Sequence, residues 1–558
     1  MVWQLFMRAI FNKFSYQKEF LETLGALFVA SIIAIPILAI FYIAFSADDN
    51  IWTHLASTVL PGYIITTVIV ISGVSIITLL IGVSLAWIIT VYEFPFRRIM
   101  EWLCLLPLAM PAYIVAYTYG DFLDYTGFVQ SNLRFLFGWD SIKDYWFPDI
   151  YSIGGSIFIM AFVLYPYIYI TSRAAFLRQS ITLIEMSSIL GKSSLYSFFH
   201  IALPMARPAI IIGLILVIME TMNEFAAFEY FGVDTLSVGV YITWLGKNNL
   251  GGAAQIAIFM LLFVFLLMMI EKGLRKKRSF TQNNKKQISA NRIKLSKGRL
   301  VLVMIICILP VLIGFLLPSL VLFDFILERI FEVELLEYSS LLFNSLFLSI
   351  CAAILTTILG IFLVNTHSTS NNLIIRLSVT ISRLGYALPG VVLAIGVIVP
   401  LIAVDGVLRN IFGQYFNITI GLILSGTLMA IIYAYIVRFL TISFGTIESG
   451  FATLNPDITA ASRLLGKSKF STLIKIQLPI IKPALIMSAL LVFVDSMKEL
   501  PATLILRPFN FDTLATNVYT YASLSDIGNA SLPAMTIVVA GLFPIILINR
   551  ELNRGRKG

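Results

Sequence analysis

Charge is scarce in this chain of 558 residues: only 12% are Asp, Glu, Lys or Arg, and there are just three cysteines and three histidines. So little charge argues against a soluble fold, because the 59% of hydrophobic residues exceeds what a water-soluble core of this length buries. The mean hydropathy of +0.92 says the same. Cys104, Cys307 and Cys351 all sit within apolar runs and show no CxxC spacing, which excludes a disulfide framework and a thiolate metal site and leaves packing as their role. His54, His200 and His367 are scattered, so no metal-ligand spacing arises from them. No nucleophile with a paired acid and base recurs at one depth, which disfavours a membrane enzyme.

Long apolar runs are what the chain has in abundance. A membrane span needs about 17–25 apolar residues, and twelve segments qualify: 21–45, 63–90, 99–118, 155–176, 207–228, 251–271, 300–322, 340–364, 384–404, 418–440, 482–498 and 528–549. The sequence thus predicts an all-α polytopic membrane protein. Placing the N-terminus inside puts 32 of the 39 Lys and Arg in cytoplasmic segments, including eleven between Lys272 and Arg299. That is the orientation the positive-inside rule favours. Both termini are expected in the cytoplasm, and the net charge of +9 then reflects topology and gives no support to nucleic-acid binding. Residues 1–20 precede a run too long for a signal-peptide core, so the first span is expected to be retained.

One stretch occurs twice. Glu185-Met-Ser-Ser-Ile-Leu-Gly191-Lys-Ser, followed by Ile201-Ala-Leu-Pro204, returns as Ala460-Ala-Ser-Arg-Leu-Leu-Gly466-Lys-Ser and Ile476-Gln-Leu-Pro479. The offset of 275 holds without a gap onward to Glu220, Met222 and Glu224, which meet Asp495, Met497 and Glu499. The chain is therefore an internal duplication. Residues 182–204 cannot span a bilayer, since Glu185 and Lys192 would each cost about 2.5–3.5 kcal/mol at a helix centre. Ile184, Ile189, Leu190, Leu195 and Phe199 recur at near-helical spacing broken at Gly191, which predicts two short amphipathic helices on the cytoplasmic face. Such an element suits docking in another protein's groove. Gly191-Lys-Ser and Gly466-Lys-Ser mimic the end of a phosphate-binding loop, but its first glycine is replaced by Met186 and Ala461. ATP binding by this chain is therefore not expected.

These two copies resemble the EAA motif of binding-protein-dependent ABC importer permeases, through Glu185, Gly191, Ile201, Leu203 and Pro204 and through Ala461, Gly466, Ile476, Leu478 and Pro479. Met186-Ser187 departs from the alanine pair, and Ala460 stands where the second glutamate would be. The run Lys498-Glu-Leu-Pro-Ala-Thr to Asn517 resembles fused permeases of ferric iron importers, as do Asn223-Glu224-Phe225 and Tyr230-Phe-Gly-Val. The resemblance implies a first permease domain at 1–271 with its coupling motif at 182–204, a basic cytoplasmic linker at 272–299, and a second permease domain at 300–558 with its motif at 457–479. It implies two copies of an ABC ATPase as partners, an extracytoplasmic substrate-binding protein, and a bacterial inner-membrane location. ATP is then used by the partners, and this chain binds no cofactor. Related permeases handle thiamine, sulfate and polyamines, so these remain alternative substrates.

Within the spans, Glu220 and Glu224 share a helix face and are echoed by Asp495 and Glu499. They either line a path for a cationic substrate or serve structure, for instance by pairing with Lys498. Tyr165 and Tyr167, flanking Pro166, carry the same pair of readings. Pro107 and Pro111, with Pro389 as counterpart, mark either a hinge or an ordinary kink. The segment Arg507-Pro-Phe-Asn-Phe-Asp512 either meets a binding protein or orders its own loop. The rival from another class is a twelve-span secondary transporter, but the 91–98 loop lacks the Gly-x-x-x-Asp-Arg type of signature expected there.

Overall fold

The computed structural model describes residues 2–46, 51–178, 191, 193–278, 293–332, 334–418 and 421–554. It is helical throughout, apart from one two-residue parallel pairing of Tyr92 with Ile293 and Glu93 with Lys294. Among the described residues, ten helices are long and apolar enough to cross a membrane, and two bent pairs bring the number to twelve. Each of the twelve overlaps one of the segments expected from hydropathy.

The bends fall where proline removes a donor. The pair Arg97–Ala109 and Ala112–Phe137 turns by 89°. Pro111 holds extended backbone (φ −60°, ψ 137°) and the helix restarts at Ala112. Pro389 adopts the same geometry (φ −57°, ψ 142°) ahead of Gly390–Phe416. Three Leu-Pro steps have a further effect. At Phe198–Ala202, Leu312–Leu316 and Leu473–Gln477 the helix widens into a π turn, and each time a Leu-Pro pair follows. The leucine N–H of each pair reaches back five residues, to Phe198, Leu312 and Leu473. The proline itself has no N–H to give, so the four-residue register cannot run on through it.

The chain divides into two compact units that cut across the sequence repeats. One comprises Met1–Ala47 with Ser339–Thr513, the other Asp48–Tyr338 with Leu514–Gly558. In the first unit, the long Val2–Ser46 helix packs on Leu373–Ser382 and Gly390–Phe416. Gly396 makes this possible: a Cβ there would stand 2.5 Å from the Pro36 carbonyl oxygen. Pro36 also explains a polar contact. Lacking an N–H, it leaves the Ile32 carbonyl four residues earlier without a helix partner, and the Tyr433 hydroxyl donates to that oxygen at 2.7 Å.

The second unit repeats the device. Its Lys297–Arg329 run packs against Ile153–Arg178, Ala112–Leu123 and Ile527–Arg554. A Cβ on Gly314 would lie 2.3 Å from the Phe162 carbonyl oxygen. In the five-residue register of the π turn, Ile313 faces Pro318, and Tyr119 donates to the Ile313 carbonyl at 2.9 Å. In each unit, then, the opening helix of one repeat is seated on elements of the other by a glycine contact and a tyrosine that satisfies a proline-orphaned carbonyl. Small residues and interhelical hydrogen bonds are what hold helices together where lipid competes for apolar contact. Cys104 and Cys307 are buried and all three cysteines are free, as packing residues would be.

Candidate coupling surface and span carboxylates

The second repeated motif is fully described and folds as a helical hairpin between the Leu428–Phe451 and Lys482–Met497 helices. Asn455 caps Pro456–Leu464 by accepting the Asp457 N–H at 2.9 Å. Gly466 then reverses the chain with φ +79°. Two backbone bonds, from Gly466 N–H to Arg463 and from Lys467 N–H to Ser462, close the helix end. Ser468 caps Lys469–Thr472, which continues into the widened turn and on to Ile480. The two arms are pinned by the Ser462–Thr472 hydroxyl pair at 2.9 Å and by Gln477 donating to Thr459 at 3.3 Å.

The hairpin offers apolar side chains outward among the exposed charges of Asp457, Arg463, Lys467, Lys469 and Lys475. Leu464 and Leu465 at its tip are 89% and 81% exposed, with Phe470, Ile474 and Ile458 also exposed. Ala461 is exposed on the same helix, while Ile476 and Leu478 are half-buried and Pro479 is exposed. In the first motif, Glu185 lies outside the described residues. Gly191 adopts φ +71°, matching Gly466. Around both glycines nothing lies within 4 Å of a would-be Cβ, so the backbone angle, and not crowding, is what selects glycine. Downstream, Ile201, Leu203 and Pro204 are half-buried at the head of the Leu203–Asn223 helix, and Tyr196, Phe199 and Met205 are exposed.

The acidic pairs diverge between repeats. Glu499, 4% exposed, accepts from Arg438 at 3.1 Å and from the Thr503 N–H and hydroxyl at 3.1 and 2.9 Å, so it caps Pro501–Leu506 and anchors it to Leu428–Phe451. Glu224 caps the short Ala226–Tyr230 helix in the same manner, accepting the Ala227 N–H at 3.0 Å. The position equivalent to Arg438, however, is Val163. Asp495 pairs with Lys498 at 2.9 Å, whereas the equivalents are Glu220 and Asn223. The second repeat places Arg438 and Lys498 against its two carboxylates, and Val163 and Asn223 stand at those positions in the first. Sequence reading placed Arg438 at the inner end of a span and so missed its pairing with Glu499. Counting acids and bases at matched repeat positions would have revealed it.

Tyr165 is fully buried and Tyr167 half-buried in the second unit, and Tyr169 donates to the Glu101 carbonyl at 3.2 Å. Glu101 itself is buried between Arg97 and Arg173, bonded to both. The Arg507–Asp512 ion pair closes the loop that the sequence singled out, leaving Phe509 99% exposed at its tip.

Apolar helices of span length, proline-broken helices and a sequence motif carried twice define a multi-pass α-helical membrane protein. Residues 78–279 and 368–554 both match the model of the binding-protein-dependent transport system inner membrane component, and the chain belongs to that family. It is a permease of the ABC importer class, in the inner membrane. Among its relatives, the Fe(3+)-transport system permease protein FbpB 2 of Haemophilus influenzae is 25% identical, covering 87% of this chain and 88% of its own length. The probable ABC transporter permease protein y4fN of Sinorhizobium fredii is 22% identical over 86% of this chain and 85% of its own. The sulfate transport system permease protein CysW of Escherichia coli is 25% identical over 48% of this chain and 92% of its own.

Replacing Leu464 and Leu465 together by Ser is expected to lower ATPase co-purification at least tenfold while leaving the thermal midpoint of the detergent-solubilised chain unchanged. The reason is that these side chains are exposed at the hairpin tip and support no internal packing.

Proposed function

We propose that this chain forms the whole transmembrane pathway of an ATP-driven importer that receives ferric iron from an extracytoplasmic binding protein. Two ATPase copies seat on residues 182–204 and 457–479 at the cytoplasmic face, both termini lying on that side. ATP is bound and hydrolysed by those partners, and closure of the ATPase pair draws the two hairpins together and switches the spans between inward-open and outward-open states. The observation that carries the reading is the apolar tip at Leu464 and Leu465, exposed where Gly466 reverses the chain. A surface of this kind is unfavourable in water unless a partner covers it.

Ferric iron is favoured because a relative named for it aligns along nearly the whole chain. Sulfate is the second reading, since a sulfate permease aligns over about half. The first-repeat positions matching Arg438 and Lys498 are the uncharged Val163 and Asn223, a difference that favours a cationic substrate over an anionic one. The test is uptake of radiolabelled ferric iron, sulfate, thiamine and spermidine by a deletion strain carrying the chain or an empty vector. Iron uptake restored by the chain supports the assignment. Restoration of sulfate alone overturns it.

A further inference from the structure

Glu224 and Glu229 sit beside an unusual group of phenols, all within the unit Asp48–Tyr338 with Leu514–Gly558. The Tyr519 hydroxyl, on Leu514–Ser523, lies 3.3 Å from the Tyr241 hydroxyl and 3.5 Å from Glu229 Oε2. These oxygens come from three separate helices, and the Tyr519 hydroxyl is the one that meets both of the others. Tyr117 stands within electrostatic reach of Tyr519, Glu224 and Glu229, and its ring meets that of Tyr230 at 4.7 Å. Phe225 holds the arrangement by packing on both Tyr241 and Tyr519, at 4.4 and 5.9 Å between ring centroids. Two more oxygens nearby in sequence are buried without a partner: Asn223 Oδ1, next to Glu224, and Asn517 Oδ1, two residues from Tyr519. Leaving such an atom buried and unbonded costs about 1–3 kcal/mol.

Oxygen donors spaced 3.3–3.5 Å apart are slightly wider than the edges of an octahedron with metal–oxygen bonds of about 2.0–2.1 Å, so a small inward movement would enclose a hard cation. Among the described residues no three His, Cys, Asp or Glu side chains converge to hold a metal. Any cation site here therefore depends on phenols. We propose that Glu229, Tyr241 and Tyr519, with Glu224 and Tyr117 beside them, form a transit site for a hard trivalent cation in the translocation path. The proposal rests on the ferric reading for its physiological cargo. Each phenol that enters the coordination sphere gives up its proton, so binding of one cation by two phenols and a carboxylate is charge-neutral overall.

The experiment is titration of the purified chain in nanodiscs with ferric nitrilotriacetate, followed by visible absorption. A phenolate-to-iron charge-transfer band is expected, displaced by gallium(III). Tyr519→Phe, Tyr241→Phe and Glu229→Gln should each raise the half-saturating iron concentration at least tenfold, with unchanged elution on size exclusion. No band in the wild type, or a band that all three variants retain, overturns the site. Iron uptake by cells separates the two ideas. Wild-type uptake with full activity in all three variants removes the transit role, whereas a band without any wild-type iron uptake keeps the site and removes the ferric reading.

Discussion

Gly466→Asp is expected to reduce substrate uptake to below a tenth of the wild-type rate and to release the ATPase from the purified complex. At φ +79° an L-residue pays a conformational penalty of about 1–2 kcal/mol. That alone would shift the hairpin modestly. The larger effect comes from placing a carboxylate next to Leu464 and Leu465, the most exposed apolar residues of the hairpin. A charge that must lose its water on docking is costly unless it finds a partner. Gly466→Ala carries the backbone strain without the charge and is expected to keep a third or more of the uptake. Gly191→Asp, at φ +71°, is expected to act on the other copy in the same direction. If Gly466→Asp transports at the wild-type rate with its ATPase attached, the hairpin is not the coupling surface.

Arg438→Ala carries the largest expected cost in stability. Its guanidinium is the cation that neutralises Glu499, whose side chain is 1% exposed. Removing one member of a buried pair leaves an uncompensated charge and costs about 3–5 kcal/mol. A fall in thermal midpoint of about 3–4 °C is expected for the solubilised chain. The paired substitution Arg438→Met with Glu499→Gln removes both charges and should recover more than half of that loss. Gly390 adds a constraint, because a Cβ there would lie 2.6 Å from Arg438 Nη1 and 2.9 Å from Glu499 Oε1. An unchanged midpoint in Arg438→Ala would mean that the pair contributes nothing to the fold.

Much of this architecture was legible in the sequence, and the exceptions have a common cause. Hydropathy located all twelve spans because span length is fixed by bilayer thickness. The reversal at Gly466 was legible because a break in helical periodicity at glycine has one economical solution, whereas the helices expected on either side of Gly191 fall largely outside the described residues. The π turns before Pro204, Pro318 and Pro479 were not foreseen, although each follows from a missing N–H. Seating of the Val2–Ser46 helix against Gly396 and Tyr433 was out of reach. Its partners lie hundreds of residues away, and nothing local in its uncharged 23–46 stretch says which neighbour it chooses. Of the four span carboxylates, the Asp495–Lys498 pairing was anticipated as one reading, and the Glu499–Arg438 pairing was hidden because a charge near a span end satisfies the positive-inside count without needing a partner. Tyr165 and Tyr167 looked alike in sequence, and only the packing of Ile153–Arg178 distinguishes a fully buried ring from a half-buried one.

With its coupling motif carried twice, one chain is expected to hold two docking sites for an ATPase. Native mass spectrometry of the complex, purified through a tag on this chain, tests it most directly. Two ATPase copies per chain are predicted for the wild type, and one or none for Gly466→Asp. A wild-type complex holding no ATPase, or holding two copies that survive both Gly191→Asp and Gly466→Asp in the same chain, would contradict it.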